Sequence, residues 1–186
     1  LHTMRRNIDL LYIVMNNQIY GLTTGQLSPT SAQGMKTKSS PDGSIEAPLN
    51  PMALAITGGA TWVGRGFSGD IKHLSALMKA GMEHTGFSLL DVFSPCVTYN
   101  HDNTFAWFKE RVKKLEDNGH DPRDWKAAIE QAFIWGDEIP IGLLFENVKK
   151  PALHQLDPVL DEGGPLAFRD IGVSPELGQT LVDELL

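Results

Sequence analysis

The run of apolar residues at 10–15 is the feature that most constrains how this chain can fold. It shows no alternation of polar and apolar residues, and such runs are typical of strands buried on both faces of a parallel sheet. Three further runs of strand character follow at 61–66, 87–93 and 139–145. The pattern therefore predicts a layered fold in which helices cover both faces of a sheet.

Helical segments separate the four predicted strands. Pro51 can open a short helix that ends at Gly58 and Gly59, and Asp70 can cap a longer helix that ends at Gly86. The predicted buried face of the longer helix has a spacing of three and four residues and consists of Ile71, Leu74, Leu77, Met78 and Met82. Two more helices are predicted, over 105–115 and from 121 onward. This alternation predicts an α/β fold with a mainly parallel, doubly wound sheet.

The chain has 186 residues, which is within the usual range for one domain. We predict this domain over 1–150, followed by an extended tail over 151–186 that is rich in Pro and Gly and has a short helix at 174–185. The first residues have the pattern of a helix end, with Arg5 and Arg6 in the last turn and Asn7 as the stop. We therefore expect the chain to begin inside an element of a larger domain.

Charge and composition exclude several classes of function. Sixteen Lys and Arg residues against 23 Asp and Glu residues give a net charge of −7, so we expect no nucleic acid as partner. We expect no membrane span, because no apolar run approaches the roughly 20 residues that a span requires. Cys96 is the single cysteine, which excludes a disulfide within the chain and indicates a reducing compartment, the cytoplasm.

An unusually polar stretch, residues 16–49, follows the first predicted strand. Asn17 lies directly after that strand, and an Asn side chain can bind a hard cation such as Mg²⁺ together with a main-chain carbonyl oxygen. The alternative is that Asn16 and Asn17 only form a turn. Parallel sheets bind ligands beyond the carboxyl ends of their strands, so we expect residues 16–26 and 94–100 at one edge of the sheet.

The segment after Asn17 has the composition of an anion-binding loop. Gly21 and Gly25 would let backbone amides approach an anion, and the hydroxyls of Thr23 and Thr24 could donate to it. A phosphate group beside a cation bound at Asn17 would suit this arrangement.

Two motifs in the chain resemble a known family. The letters NNQIYGLTTGQ at 16–26, with SPT at 28–30, are similar to the second half of a thiamine diphosphate motif. That motif belongs to the β subunits of 2-oxoacid:ferredoxin oxidoreductases, and FSPCVTYN at 93–100 is similar to another hallmark of these subunits. The resemblance covers residues 1–115 and is strongest for the 2-oxoglutarate type. It implies a thiamine diphosphate-binding fold that is incomplete at its N-terminus.

The resemblance implies roles for five residues of the polar stretch. Asn17, through its side chain, and Ile19, through its carbonyl oxygen, would bind the Mg²⁺ that anchors the cofactor diphosphate. Gly21, Leu22 and Thr23 would line the diphosphate with backbone amides and the Thr hydroxyl.

Cys96 resembles the last of four cysteine ligands of a [4Fe–4S] cluster in this family. For an isolated cysteine, the alternative is a small buried apolar residue. A cluster of this kind normally needs four thiolates, so three would have to lie outside this chain. The family's Gly-Asp-Gly element, whose aspartate also binds Mg²⁺, is missing as well, and we expect the chain to be the C-terminal portion of such a subunit. Thr24 is a further departure, because many relatives have lysine there, and it leaves the selection of the 2-oxoacid open.

The resemblance also implies an activity for the parent enzyme. With coenzyme A it would oxidatively decarboxylate a 2-oxoacid, 2-oxoglutarate or a pyruvate-like acid, to acyl-CoA and CO₂ and reduce ferredoxin. An α subunit would be its partner and would supply the glutamate that activates the cofactor. We therefore assign no catalytic residue to this chain and expect it to be inactive alone. Two alternatives stay open: a thiamine diphosphate enzyme without redox chemistry, and an inactive α/β fragment that serves as an interaction module.

Overall fold

The computed structural model describes residues 1–161, 166–169 and 172–185. The chain divides into two compact units, Leu1–Leu153 and His154–Leu186. The strands are β1 (Leu10–Asn16), β2 (Ile19–Tyr20), β3 (Gln26–Leu27), β4 (Trp62–Phe67), β5 (Phe87–Phe93), β6 (Val112–Lys114) and β7 (Ile139–Glu146). The helices are α1 (His2–Arg6), α2 (Pro51–Thr57), α3 (Ile71–Glu83), α4 (Phe105–Arg111), α5 (Trp125–Phe133), α6 (Leu153–Leu156), α7 (Pro158–Asp161) and α8 (Pro175–Asp183), with 3₁₀ helices at Leu115–Asp117 and Leu166–Phe168.

Five strands of the first unit form one sheet in the order β1-β5-β4-β7-β6. The pairs β1–β5, β5–β4 and β7–β6 are parallel, and the pair β4–β7 is antiparallel. The prediction of an α/β fold with a mainly parallel sheet is confirmed. Strands β2 and β3 form a separate short antiparallel pair within the polar stretch. None of the helices in the described part of the chain has both the length and the apolar character needed to cross a membrane.

Both faces of the sheet are covered by helices, as a doubly wound sheet requires. On one face, Val63 of β4 and Leu89 of β5 belong to the core cluster that includes Met52 of α2 and Ala128 of α5. On the other face, residues of β4 and β5 pack with Leu77 of α3. Full burial of an aliphatic side chain contributes about 1.5–3 kcal/mol to stability, so both layers stabilise the unit.

The two neighbouring strands β1 and β5 differ in burial although both are rich in apolar residues. Every residue of β5 is buried, because β1 and β4 flank it and helices cover both its faces. Strand β1 lies at an edge of the sheet, and its Tyr12 and Met15 side chains are 55% and 62% exposed. The prediction that residues 10–15 are buried on both faces is therefore wrong. Asn16, at the carboxyl end of β1, is its one buried residue.

Three helix predictions need correction. The helix predicted over 105–115 ends at Arg111, and the next three residues form β6, which pairs with β7. The helix predicted from 121 begins at Trp125, where Asp124 caps it by accepting from two backbone amides. Asp70 caps α3 as predicted, but Ile71 and Met82 are exposed, so the buried face of α3 is narrower than its apolar spacing suggested.

The second unit contains short helices. The extended backbone predicted after residue 150 is replaced by helical turns at α6 and α7, and α8 occupies most of the helix predicted over 174–185. Ser174 caps α8 by accepting from the Leu177 amide at 3.2 Å. Residues 162–165, 170–171 and 186 of the predicted tail lie outside the described residues. The division into a domain over 1–150 and a tail over 151–186 stays a prediction.

Candidate functional site

The segments that follow β1 and β5 meet at the carboxyl edge of the sheet, as predicted. Asn16 and Phe93 are register partners at the ends of these two strands. The Ser94 amide donates to the Asn16 carbonyl at 3.1 Å, and the Asn100 side-chain amide donates to the Asn17 carbonyl at 3.1 Å. Side-chain and backbone hydrogen bonds therefore hold the two segments together.

A tight turn begins at the last residue of β1. The Asn16 Oδ1 accepts from the Gln18 amide at 3.3 Å and from the Thr30 hydroxyl at 2.8 Å. Gln18 has a left-handed backbone with φ of 59°, which is unfavourable for a residue with a Cβ. Its carbonyl accepts from the buried Ser31 hydroxyl at 2.7 Å. Side chains at 16 and 31 thus stabilise the strained residue from both of its peptide groups.

Asn17 and Ile19, the two predicted Mg²⁺ ligands, flank this left-handed residue. The Asn17 Oδ1 accepts from the Ile19 amide at 3.0 Å, and a carboxamide oxygen with one hydrogen bond retains a second lone pair. The described residues contain no group of three or more His, Cys, Asp or Glu side chains that could hold a metal ion. Two neutral oxygens are still a fitting donor set for Mg²⁺, which takes most of its ligands from phosphates and water.

Gly21 brings the polar stretch into contact with the segment after β5. A Cβ on residue 21 would lie 3.1 Å from the Cys96 Sγ and 3.7 Å from the Asn17 Nδ2. The structure therefore brings Asn17, Gly21 and Cys96 together. Cys96 is half-buried, with its thiol free of any disulfide. As one thiolate it fits a single ligand position of a cluster, and the other three positions would need thiolates from elsewhere.

The remaining predicted residues lie at the exposed end of the loop. Leu22 is 99% exposed, and Thr23 is exposed with its hydroxyl donating to the Gln26 side chain. Gly25 has φ of +78°, and a Cβ there would come within 2.6 Å of the Tyr99 ring. The loop thus turns back at Gly25, and its outer residues are separate from the cluster formed by Asn17, Gly21 and Cys96.

Two buried charged residues escaped the sequence prediction, Arg65 on β4 and Asp91 on β5. The Arg65 guanidinium donates to the Ala132 and Pro140 carbonyls at 2.9 and 3.2 Å and lies 5.4 Å from the centre of the Phe93 ring. Burial raises the pKa of Asp91 to about 6, opposed by the charge of Arg65 and by the Asn16 side chain. Burial also lowers the pKa of Arg65 to about 10, opposed by the charge of Asp91.

A cavity of about 280 Å³ adjoins these residues and the turn after β1. Its polar lining includes Asn16, Gln18, Thr30, Arg65 and Asp91. A signal for this arrangement was present in the sequence, because each of the two apolar strands contains one charged residue that an apolar environment would otherwise exclude.

Residues 1–92 match the family model described as the C-terminal TPP-binding domain of thiamine pyrophosphate enzymes. Residues 96–162 match the model of the C-terminal part of the pyruvate ferredoxin oxidoreductase β subunit. The β subunit of 2-oxoacid:ferredoxin oxidoreductase 1 from Aeropyrum pernix is 38% identical over 192 residues, which is 96% of this chain and 60% of the relative. This chain belongs to the family of 2-oxoacid:ferredoxin oxidoreductase β subunits. The family resemblance of the two sequence motifs is thereby confirmed.

Other relatives of this family agree. The 2-oxoacid:ferredoxin oxidoreductase β subunit of Saccharolobus solfataricus is 45% identical over 153 residues, covering 77% of this chain and 50% of the relative. A solved structure of 2-oxoglutarate:ferredoxin oxidoreductase from Magnetococcus marinus, with 2-oxoglutarate, coenzyme A and succinyl-CoA bound, matches with a TM-score of 0.82 at 35% identity. That match covers 99% of this chain and 60% of the solved chain. The chain thus spans between half and three-fifths of the length of these relatives.

Proposed function

We propose that this chain provides the diphosphate-binding half of a thiamine diphosphate site in a 2-oxoacid:ferredoxin oxidoreductase. With an α subunit and coenzyme A, the whole enzyme would convert a 2-oxoacid, 2-oxoglutarate or a pyruvate-like acid, to acyl-CoA and CO₂. The two electrons released would pass to ferredoxin. The observation that carries this proposal is the convergence of Asn17, Gly21 and Cys96 at one edge of the sheet, in a chain that belongs to this family.

The turn after β1 would hold the metal and the diphosphate. The Asn17 side chain and the Ile19 carbonyl would bind Mg²⁺, which neutralises the diphosphate charge. Backbone amides at Gly21 and Leu22, together with the Thr23 hydroxyl, would contact the diphosphate oxygens. Thiamine diphosphate, when bound, supplies the nucleophilic carbon and the electron sink that decarboxylation requires. The role of this chain is to orient the cofactor.

Cys96 would contribute the fourth thiolate of a [4Fe–4S] cluster, which supplies one-electron transfer. Its Sγ lies close to Gly21, so a cluster ligand would be beside the diphosphate loop. A thiamine diphosphate enzyme without redox chemistry would have no use for a thiol at this position. A thiolate-bound cluster and an unpaired thiol both suit the reducing cytoplasm, where we expect the enzyme to work.

The metal site is tested by replacing Asn17 in the full-length β subunit, assembled with its α subunit. We expect Asn17→Ala to weaken the binding of Mg²⁺ and thiamine diphosphate by about tenfold or more, because a direct ligand is lost. Isothermal titration calorimetry measures both affinities. The matched control is Asn118→Ala, which removes an exposed amide that only accepts from the His120 backbone. Equal affinities in the Asn17 variant and the control would reject the metal site.

The redox assignment is tested separately, by iron analysis and visible absorption of the complex prepared without oxygen. The wild-type complex should contain iron and be coloured, and Cys96→Ala should lose both properties. An active complex that is colourless and free of iron would reject the ferredoxin oxidoreductase activity.

A further inference from the structure

Three polar residues form a row across one face of the sheet, on the neighbouring strands β1, β5 and β4. Arg65 and Asp91 are register partners on β4 and β5, and Asn16 follows the partner of Asp91 on β1 by two residues. Alternate residues of a strand share a face, so the three side chains lie on the same side of the sheet. Val63 and Leu89, two residues earlier on β4 and β5, are apolar and pack into the core on this side. The three polar residues therefore lie toward the carboxyl ends of their strands, next to the turn after β1.

Arg65 is hydrogen-bonded through two of its three nitrogens, with Nε unpartnered, whereas Asp91 has no hydrogen-bond partner among the described residues. Arg65 donates to two backbone carbonyls. Asp91 is 1% exposed, and neither of its carboxylate oxygens completes a hydrogen bond of normal geometry. Burying a carboxylate without hydrogen-bond partners lowers the stability of the fold. We therefore expect Asp91 to have a role in the structure or function of a neighbouring residue.

The neighbour is the Asn16 side-chain amide. Its oxygen already accepts two hydrogen bonds, from the Gln18 amide and the Thr30 hydroxyl. Asn16 and Asp91 lie on the same face of neighbouring strands and line the same cavity, and the Asn16 side chain opposes the effect of burial on the pKa of Asp91. The NH₂ group of Asn16 can donate to a carboxylate, because its oxygen is already occupied. An Asn amide can in principle turn by half a rotation and exchange its oxygen and nitrogen. An ionised carboxylate accepts but cannot donate, so Asp91 favours the orientation that directs the oxygen to Gln18 and Thr30.

We propose that Asp91 is a positioning residue, which fixes the orientation of the Asn16 amide and thereby the turn that presents Asn17 and Ile19 to the metal. This assignment rests on the proposed Mg²⁺ site. The effect passes from Asp91 to Asn16, then to the left-handed Gln18, whose amide needs the Asn16 oxygen. Without that acceptor, Gln18 can leave the left-handed region. The Asn17 side-chain oxygen and the Ile19 carbonyl oxygen are then no longer held in positions from which both can bind one metal ion.

The test uses single variants of Asp91 and Asn16, and then their combination, in the intact complex with Mn²⁺ in place of Mg²⁺. Binding is followed in the presence of thiamine diphosphate by the electron paramagnetic resonance signal of free Mn²⁺. Asp91→Asn no longer selects one amide orientation, and Asn16→Asp places two carboxylates side by side. We expect each single variant to weaken Mn²⁺ binding by about tenfold, as loss of an outer-shell partner of a metal ligand commonly does.

The double variant Asn16→Asp/Asp91→Asn exchanges the two side chains and so restores the pairing of one carboxylate with one amide. Residue 16 then supplies acceptor oxygens to Gln18 and Thr30, and residue 91 supplies the donor. We expect it to recover most of the lost Mn²⁺ affinity. It also keeps the number of buried charges, so it tests the assignment even where a single variant does not assemble. A folded double variant that binds Mn²⁺ as weakly as the single variants would overturn the assignment.

Two further variants separate the possible causes. Ser88→Ala removes another buried, unpartnered polar group from the far end of β5 and should leave Mn²⁺ binding unchanged. If Asp91 only balances the charge of Arg65, the single variants will unfold at lower temperature but bind Mn²⁺ like the wild type, which rejects the assignment. In that case Asn17→Ala shows whether only the role of Asp91 is wrong or the proposed metal site is wrong as well. Weak binding by Asn17→Ala would leave the proposed metal site intact, and unchanged binding would reject the site as well.

Discussion

Two buried asparagines bracket β1, and they use their side chains in nearly the same way. Asn7 lies before the strand, and its oxygen accepts from the Phe87 amide and the Thr61 hydroxyl, both at 2.8 Å. Asn16 closes the strand, and its oxygen also accepts from one backbone amide and one Thr hydroxyl. The difference is in where the partners come from.

The partners of the Asn7 side-chain oxygen are distant in the chain, whereas those of the Asn16 side-chain oxygen are local. Asn7 binds residues at the starts of β4 and β5, and its NH₂ group donates to the Lys150 and Pro151 carbonyls at 3.3 and 3.0 Å. It therefore joins four separate segments of the fold. The side-chain oxygen of Asn16 accepts only from residues of the following loop. The comparison indicates that Asn7 holds separate segments of the fold together, whereas the Asn16 oxygen fixes the turn that carries the proposed Mg²⁺ ligands.

The largest effect on stability is expected for Asn7→Ala. The free energy of unfolding should fall by about 3 kcal/mol, because the buried Phe87 amide loses its acceptor and several other hydrogen bonds are lost. Asn7→Gly separates the causes, since glycine suits the left-handed backbone at φ of 52° but also lacks the side chain. Chemical denaturation measures both variants. If Asn7→Gly has wild-type stability, the hydrogen bonds of Asn7 do not stabilise the fold.

Asn16→Ala should show the opposite pattern. Its unfolding free energy should fall by only about 1 kcal/mol, because the two hydrogen bonds lost from its oxygen lie within one loop. Its affinity for Mn²⁺ in the intact complex should fall by about tenfold, since the turn that carries the predicted ligands is released. A stability loss as large as that of Asn7→Ala, with unchanged metal binding, would remove the distinction between the two asparagines.

The smallest effect concerns His84, which shares the Thr61 hydroxyl with Asn7 at 2.8 Å. Burial lowers the pKa of His84, opposed by the charges of Glu146 and Asp9, so the folded state favours the neutral ring. The unfolded chain takes up this proton near pH 6.5, and the stability contributed by the neutral ring is lost as the pH falls from there through the lowered folded-state pKa. The loss should be under about 1 kcal/mol, because His84 is partly open to solvent.

Thermal unfolding between about pH 8 and pH 5.5, a range that includes the ordinary His pKa, measures this effect. His84→Gln is the control, since it keeps a donor for Thr61 but does not titrate. The wild type should lose more stability than the control on acidification. Parallel curves for the two proteins would show that His84 is not coupled to folding.

The sequence predicted the ends of β5 correctly and the burial of β1 wrongly, for one physical reason. An unbroken apolar run shows that a strand suits a buried environment, and Phe87–Phe93 has that environment on every side. Whether a strand is flanked on both edges depends on the order of strands in the sheet, and the run itself contains no information on that order. Strand β6 was missed because Phe108, Val112 and Leu115 continue the helical spacing, while pairing with β7 decides their conformation.

The candidate site was predicted in part for a similar reason. The meeting of Asn17 and Cys96 follows from local motifs together with the rule that parallel strands present their carboxyl ends at one edge. The relation of Asp91 to Asn16 needs the register of β1 on β5, which is a property of the folded sheet. Nothing in the local sequence around Asp91 indicates which residue would be its neighbour.

The antiparallel direction of β7 has a practical consequence for labelling this protein. Glu146 pairs with Trp62 at the amino end of β4, so the chain leaves β7 on the edge opposite Asn17 and Cys96. Val148 is 64% exposed on that side. A spin label or dye attached there would be about 20 Å from the loop after β1, the length of a strand of six residues. Such a probe would lie outside the proposed metal site.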